Sequence, residues 1–262
     1  MYLWKYWRES RIAFLASLIG VAVMLVLIYT GHSITIEPPP PFAGISGVLP
    51  VALALEAVPI IFLAWSFGSF GVGRDLGEKS GSFLFSRPRS LAFFVWRDWG
   101  FGLAQLLVIV IGVNMVLGFE FYRLLVSLGD PYHGSFLLSG RPVPLAVIVA
   151  LNCVGGFLLA ALVFGLTYFS TVLVRNVKGV MLGAGVLLSY IVLKEVVSHY
   201  WPWISLPTII PQEFAVSHPS QTSGRAVISF VDNLGLFLTI RFAVILLFPL
   251  AAQFLLQKRD IE

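Results

Sequence analysis

Six long apolar runs, separated by shorter polar stretches, dominate the chain. A helix that crosses a bilayer needs about 20 mostly apolar residues. The runs that meet this are residues 12–29, 49–72, 99–119, 144–174, 179–197 and 234–256. The first holds no charge and the second holds one, Glu56. The fourth is long enough to tilt or to extend past the bilayer. Lys194 and Glu195 stand near the end of the fifth, and Arg241 and Pro249 interrupt the sixth. The pattern predicts an all-α integral membrane protein, one transmembrane domain over residues 1–262.

The segments between the runs differ in kind. Residues 1–11 carry Trp4 and Trp7 with Lys5, Arg8 and Arg11, which suits a short helix lying in the membrane interface. No small-x-small cleavage site follows the first run, so it is expected to remain as a helix. Four prolines, Pro38 to Pro41, read as a stiff spacer after span one. Residues 73–98 mix both charge signs with the apolar trio Phe83, Leu84 and Phe85, and are expected to form a cytoplasmic loop with a short amphipathic helix. Residues 198–233 are aromatic and broken by proline. They read as short outer helices or a re-entrant piece before span six.

Composition sharpens this reading. Hydrophobic residues make up 58% of the 262 and charged residues 11%, against about half and about a quarter in soluble domains. A soluble domain with a single core is excluded. One Cys and 4 His exclude a disulfide framework. The net charge of +4 reads as topology rather than nucleic-acid binding, because cytoplasmic loops collect Lys and Arg. Lys5, Arg8, Arg11, Arg74, Lys79, Arg87, Arg89, Arg97, Arg175, Lys178, Lys258 and Arg259 fall on one side of a six-span layout. Only Arg123, Arg141 and Arg225 fall on the other. Both termini are therefore expected in the cytoplasm, in a multi-pass protein of the cell membrane.

Enzyme chemistry has no foothold. There is no His-Glu-x-x-His and no Gly-x-Ser-x-Gly. Lys79-Ser80 follows Glu78, which puts a negative charge where a phosphate-binding loop needs glycine. His32, His133, His199 and His218 fall on the outer side without ligand spacing, and Cys153 reads as a small buried residue.

Polar residues inside the spans have two readings each. Glu56 serves substrate contact or gating, or it holds helices together by a hydrogen bond or ion pair. Asn114 and Asn152 bond helix to helix or line a path. Arg241 pairs with an acid or snorkels outward. Gly179-x-x-x-Gly183 permits close helix approach.

The stretch from Asp75 to Arg89 has acidic–Gly pairs followed by Phe-Leu-Phe-Ser-Arg-Pro. With the N-terminal flank and six spans, it resembles the permease subunits of type-2 ATP-binding-cassette exporters, which carry a similar loop after their second span. The resemblance implies that the loop couples to separate cassette ATPase subunits. Arg74, Asp75, Glu78, Lys79, Phe83, Phe85 and Arg87 would make the contact and pass motion to spans one, two and five. Glu56, Asn114, Asn152 and Arg241 would lie on the translocation path or its gate. ATP and Mg would sit on the partner chain, with no cofactor on this one. A second permease copy or a paralogue would complete the path, with membrane lipid around it and no nucleic acid. The rival expectation is a non-transporting scaffold or assembly factor that recruits a cytoplasmic partner.

Overall fold

A computed structural model describes residues 2–31, 60–77, 90–127, 136–138, 141–142, 145–175, 178–200, 216–219, 226–229 and 234–259. The bulk of these is helical. In chain order the helices are α1 (Tyr2–Gly31), α2 (residues 60–68), α3 (Val72–Gly77), α4 (Leu91–Ser127), α5 (Leu145–Val174), α6 (Gly179–Tyr200) and α7 (Leu234–Arg259). Three stretches are long and apolar enough to cross a membrane: Leu91–Phe119 in α4, Val149–Val174 in α5 and Leu238–Lys258 in α7. Shorter apolar stretches, Ser10–Val23 and Gly179–Lys194, lie in α1 and α6.

Large apolar side chains face outward from most of these helices. Ile12 and Met181 are each 71% exposed, and Phe254 is 65% exposed. Monomers in water rarely expose contiguous apolar surface on this scale. The outward faces require an apolar solvent, which is the membrane character that the hydrophobic runs imply. The core lies inside, where Phe67, Phe94, Val95, Leu158, Phe164 and Tyr168 are fully buried.

Helix α5 is central and packs against α3, α4, α6 and α7. It runs antiparallel to α4, since Gly118 meets Val149 near one end and Tyr168 reaches Val95 near the other. It ends at Arg175, whose φ of 53° turns the chain into α6. Gly179 then sits against the backbone of Ser170 and Thr171, and Gly183 against Thr167. The Gly179-x-x-x-Gly183 pair is thus used within the chain. On α7 the buried residues Arg241, Ile245, Pro249, Ala252 and Leu256 follow a spacing of three and four and form the inward stripe.

Three expectations need correction. The break near residue 11 is absent, and Tyr2–Gly31 is one helix of 30 residues. The apolar spacing of α1 continues without a helix-breaking residue, so the interfacial stretch and the first run share one axis. Second, the helix of the third run begins well before residue 99. α3 opens the segment 73–98, and α4 starts at Leu91, eight residues before the expected span. Phe94, Val95 and Asp98 lie on one face there and are buried, so packing extends the helix.

Third, short strands accompany the helices. Short strands β1 (Phe136–Leu138), β2 (Arg141–Pro142), β3 (Val216–Pro219) and β4 (Ala226–Ser229) form a sheet in the order β2-β1-β4-β3. β1 and β4 run parallel, with Leu137 opposite Val227. β3 and β4 stand where short outer helices were expected. The sheet ties the segment after α4 to the segment before α7, and a pairing across that separation has no local sequence signal. Pro142 and Pro219 lie on the two edge strands, where a missing N–H does least harm.

Close packing of α2 on α5 yields a test. A Cβ at Gly68 would lie 2.7 Å from the Thr167 Cβ, whereas one at Gly20 would meet nothing within 4 Å. Gly68→Val is expected to destabilise the purified protein by about 1–3 kcal/mol, the usual cost of overpacking. Gly20→Ala should leave it unchanged or slightly stabler. Thermal unfolding in one detergent measures both, and equal melting temperatures for the two variants would refute the packing.

Candidate functional site

The charged segment begins at an elbow between α2 and α3. Helix α2 ends as the Ser69 and Phe70 amides bond back to the Ser66 and Phe67 carbonyls, each at 3.1 Å. Gly71 then adopts a φ of +105°, a conformation only glycine enters without strain. A side chain there would also crowd Asp98 and Tyr168, each at 3.2 Å. The Arg74 and Asp75 amides bond to the Gly71 carbonyl at 3.1 Å and start α3.

Four helices hold this elbow. From α5, the Thr171 hydroxyl lies 3.2 Å from the Gly68 carbonyl and 2.7 Å from its own Tyr168 carbonyl. It can donate to one of them at a time. From α6, the Val180 carbonyl accepts the Trp65 indole N–H at 3.0 Å. From α1, Phe14 stacks on Phe67 with ring centroids 6.4 Å apart. From α4 comes Asp98, 1% exposed, whose carboxylate accepts the backbone N–H of Val72. Arg97 donates from Nε to the same carboxylate at 2.8 Å and closes an ion pair through its Nη2. The Arg97 guanidinium also lies 5.2 Å from the Phe94 ring centroid.

The same end of the bundle carries further polar ties. The Trp96 indole donates to Gln253 at 2.9 Å and joins α4 to α7. Gln105 donates to Ser10 at 3.1 Å and joins α4 to α1. Exposed Arg8, Arg11, Arg175, Lys178 and Lys258 stand on the elements that meet here.

The sequence-derived candidates fall out unevenly. Asp75 is buried, 8% exposed, and close enough to Asp98 for the two carboxylates to interact. Arg74 lies over the Phe70 ring at 5.9 Å and is half-buried. Glu78, Lys79, Phe83, Phe85, Arg87 and Glu56 lie outside the described residues. Asn114 and Asn152 come together, with Asn152 donating to the Asn114 side chain at 2.7 Å and Asn114 donating to the Val110 carbonyl at 2.9 Å. This is a bond between α4 and α5. Arg241 is buried on the inward stripe of α7 and not turned outward.

Asp98, Tyr168 and Thr171 were not legible as site residues. Arg97 and Asp98 are adjacent in sequence at the edge of an apolar run, where charges usually mark the interface. Among the described residues no group of His, Cys, Asp and Glu could hold a metal ion.

Hydrogen bonds between membrane helices are worth about 0.6 kcal/mol on average and up to about 1.7. Asn114→Ala and Asn152→Ala should each destabilise the protein on that scale. The double variant should fall short of their sum, since both remove the same bond. A double-mutant cycle by reversible unfolding checks this, and strict additivity would show that the pair makes no shared contact. The chain matches no known protein family, no curated protein and no solved structure.

Proposed function

We propose that the chain is the membrane permease subunit of an ATP-driven exporter of the type-2 cassette class, with six spans and both termini in the cytoplasm. The elbow carries this reading. It places the start of the charged segment at the meeting point of α1, α4, α5 and α6. A segment held there can pass a push from outside the membrane into the bundle. A plain connector between two spans needs only a few residues and no such anchorage.

The charge pattern supports the orientation. Arg74, Arg97, Arg175 and Lys178 stand on or next to the parts of α3, α4, α5 and α6 nearest the elbow, whereas Arg123, Arg141 and Lys194 stand toward the far ends. Half-buried Trp65 and Trp96 stand at the elbow end, in keeping with the enrichment of tryptophan at membrane interfaces. ATP and Mg belong to separate cassette ATPase subunits. Their binding and release would move the segment from Arg74 to Arg87, with Phe83 and Phe85 supplying apolar contact and Glu78 and Lys79 setting register by charge. Glu56 and Arg241 are the charged candidates for the path.

Co-purification from the native host in mild detergent is the direct test. A stoichiometric cassette ATPase is expected, and it should be lost when Phe83 and Phe85 are replaced by Ser. Reversal of both charges, Glu78→Lys with Lys79→Glu, should lower the amount of bound ATPase. A protein that purifies alone, or with a partner lacking ATPase activity while a control exporter stays whole, would replace this reading with the scaffold.

A further inference from the structure

The geometry points to Asp98 as a positioning residue that ties α3 to α4, so that motion of α3 enters the bundle through the α4–α5 pair. This rests on the exporter reading for its purpose but not for its geometry. Sequence resemblance assigns the motion to spans one, two and five. The described contacts add a polar restraint on α4.

Asp98 lies at the start of α4, is almost fully buried, and accepts the first amide of α3 from Val72. Its neighbour Arg97 holds the carboxylate from the other side. A carboxylate held by a guanidinium has little freedom to rotate, and a bond from an amide to a charged acceptor is stronger than a neutral one. Gly71 lets the backbone reach it, because any Cβ there would press on the Asp98 Oδ2 at 3.2 Å. On the opposite side Gly68 is wedged against Thr167, and the Tyr168 ring closes the gap beside Gly71.

Two rigid walls therefore bracket residues 68–72. One belongs to α4 and one to α5, and those helices are themselves bound by the Asn152–Asn114 bond further along. A displacement of α3 presses this turn toward Asp98 of α4 and Tyr168 of α5, and so tilts those helices together. Phe14 of α1 and the Val180 carbonyl of α6 meet α2, through a ring stack and an indole bond.

Hydrogen–deuterium exchange of the full chain in lipid nanodiscs tests the joint without any partner. In Asp98→Leu the amides of residues 72–77 should exchange roughly ten- to a hundred-fold faster, as loss of a charge-assisted bond implies. Asp98→Asn keeps an acceptor oxygen and should rescue most of the protection. Exchange in α6 should not change in either. Should Asp98→Leu fail to fold, Gly71→Ala replaces it, since it keeps the carboxylate but pushes the turn off it, with the same local rise expected. Unchanged exchange at residues 72–77 in whichever of these variants folds overturns the assignment.

A second arm uses the complex with its co-purified ATPase. Addition of ATP and vanadate should alter exchange in residues 91–105 of the wild type. That response should disappear in Asp98→Leu while the ATPase stays bound. A retained response would overturn the route through α4. Absence of any ATPase would defeat the exporter reading and leave the first arm intact.

Discussion

Close backbone approach to α5 is the constraint on which the rest of the structure depends. Lipid tails are as apolar as leucine, so burying leucine between helices gains little in a membrane. Helices cohere there when small residues let them come near enough for dispersion and polar bonds to count. Gly68 of α2, Gly118 of α4 and Gly179 and Gly183 of α6 all press on α5, and Gly165 of α5 itself receives Phe248 of α7. The hydroxyls of Thr167 and Thr171 lie along the same helix. Thr167 returns its bond to the Val163 carbonyl at 2.8 Å and so shows its methyl to Gly68.

The elbow follows from that packing. A chain leaving α2 against α5 has to turn at once, and Gly71 supplies the turn. Its left-handed backbone aims the Val72 amide at α4, where a carboxylate waits. Asp98 would be costly in such a place without partners. Arg97 and the Val72 amide provide them, and the cost of burial becomes a directional tie. The same logic covers the Asn pair, where Asn152 donates to Asn114 and specifies how α4 meets α5.

Much of the fold was legible because hydrophobic length is a strong signal. The runs 144–174, 179–197 and 234–256 became α5, α6 and α7 nearly to the residue. Boundaries set by packing were less legible. The charges of Arg97 and Asp98 suggested that the span begins after them, yet their mutual neutralisation lets the helix continue back to Leu91. The strands were hidden for a different reason. Segments as short as Phe136–Leu138 and Ala226–Ser229 become strands only when each supplies the other's hydrogen bonds. Among the candidate residues, Asn114 and Asn152 were visible as polar groups in apolar runs. Which partner each would take was not.

Sequence alone determined that this chain needs an apolar solvent and that its bulk is helical. Those properties follow from side-chain transfer energies and helix length, which are local and additive. The tertiary structure decided which polar residues matter. It took Asp98 out of an apparent interface and placed it under the first turn of α3. It joined Asn152 to Asn114, turned Arg241 inward and spent the Gly179–Gly183 spacing inside the chain. Each of these depends on the distance between groups far apart in sequence, and hydrogen bonds and close contacts act only when that distance is small.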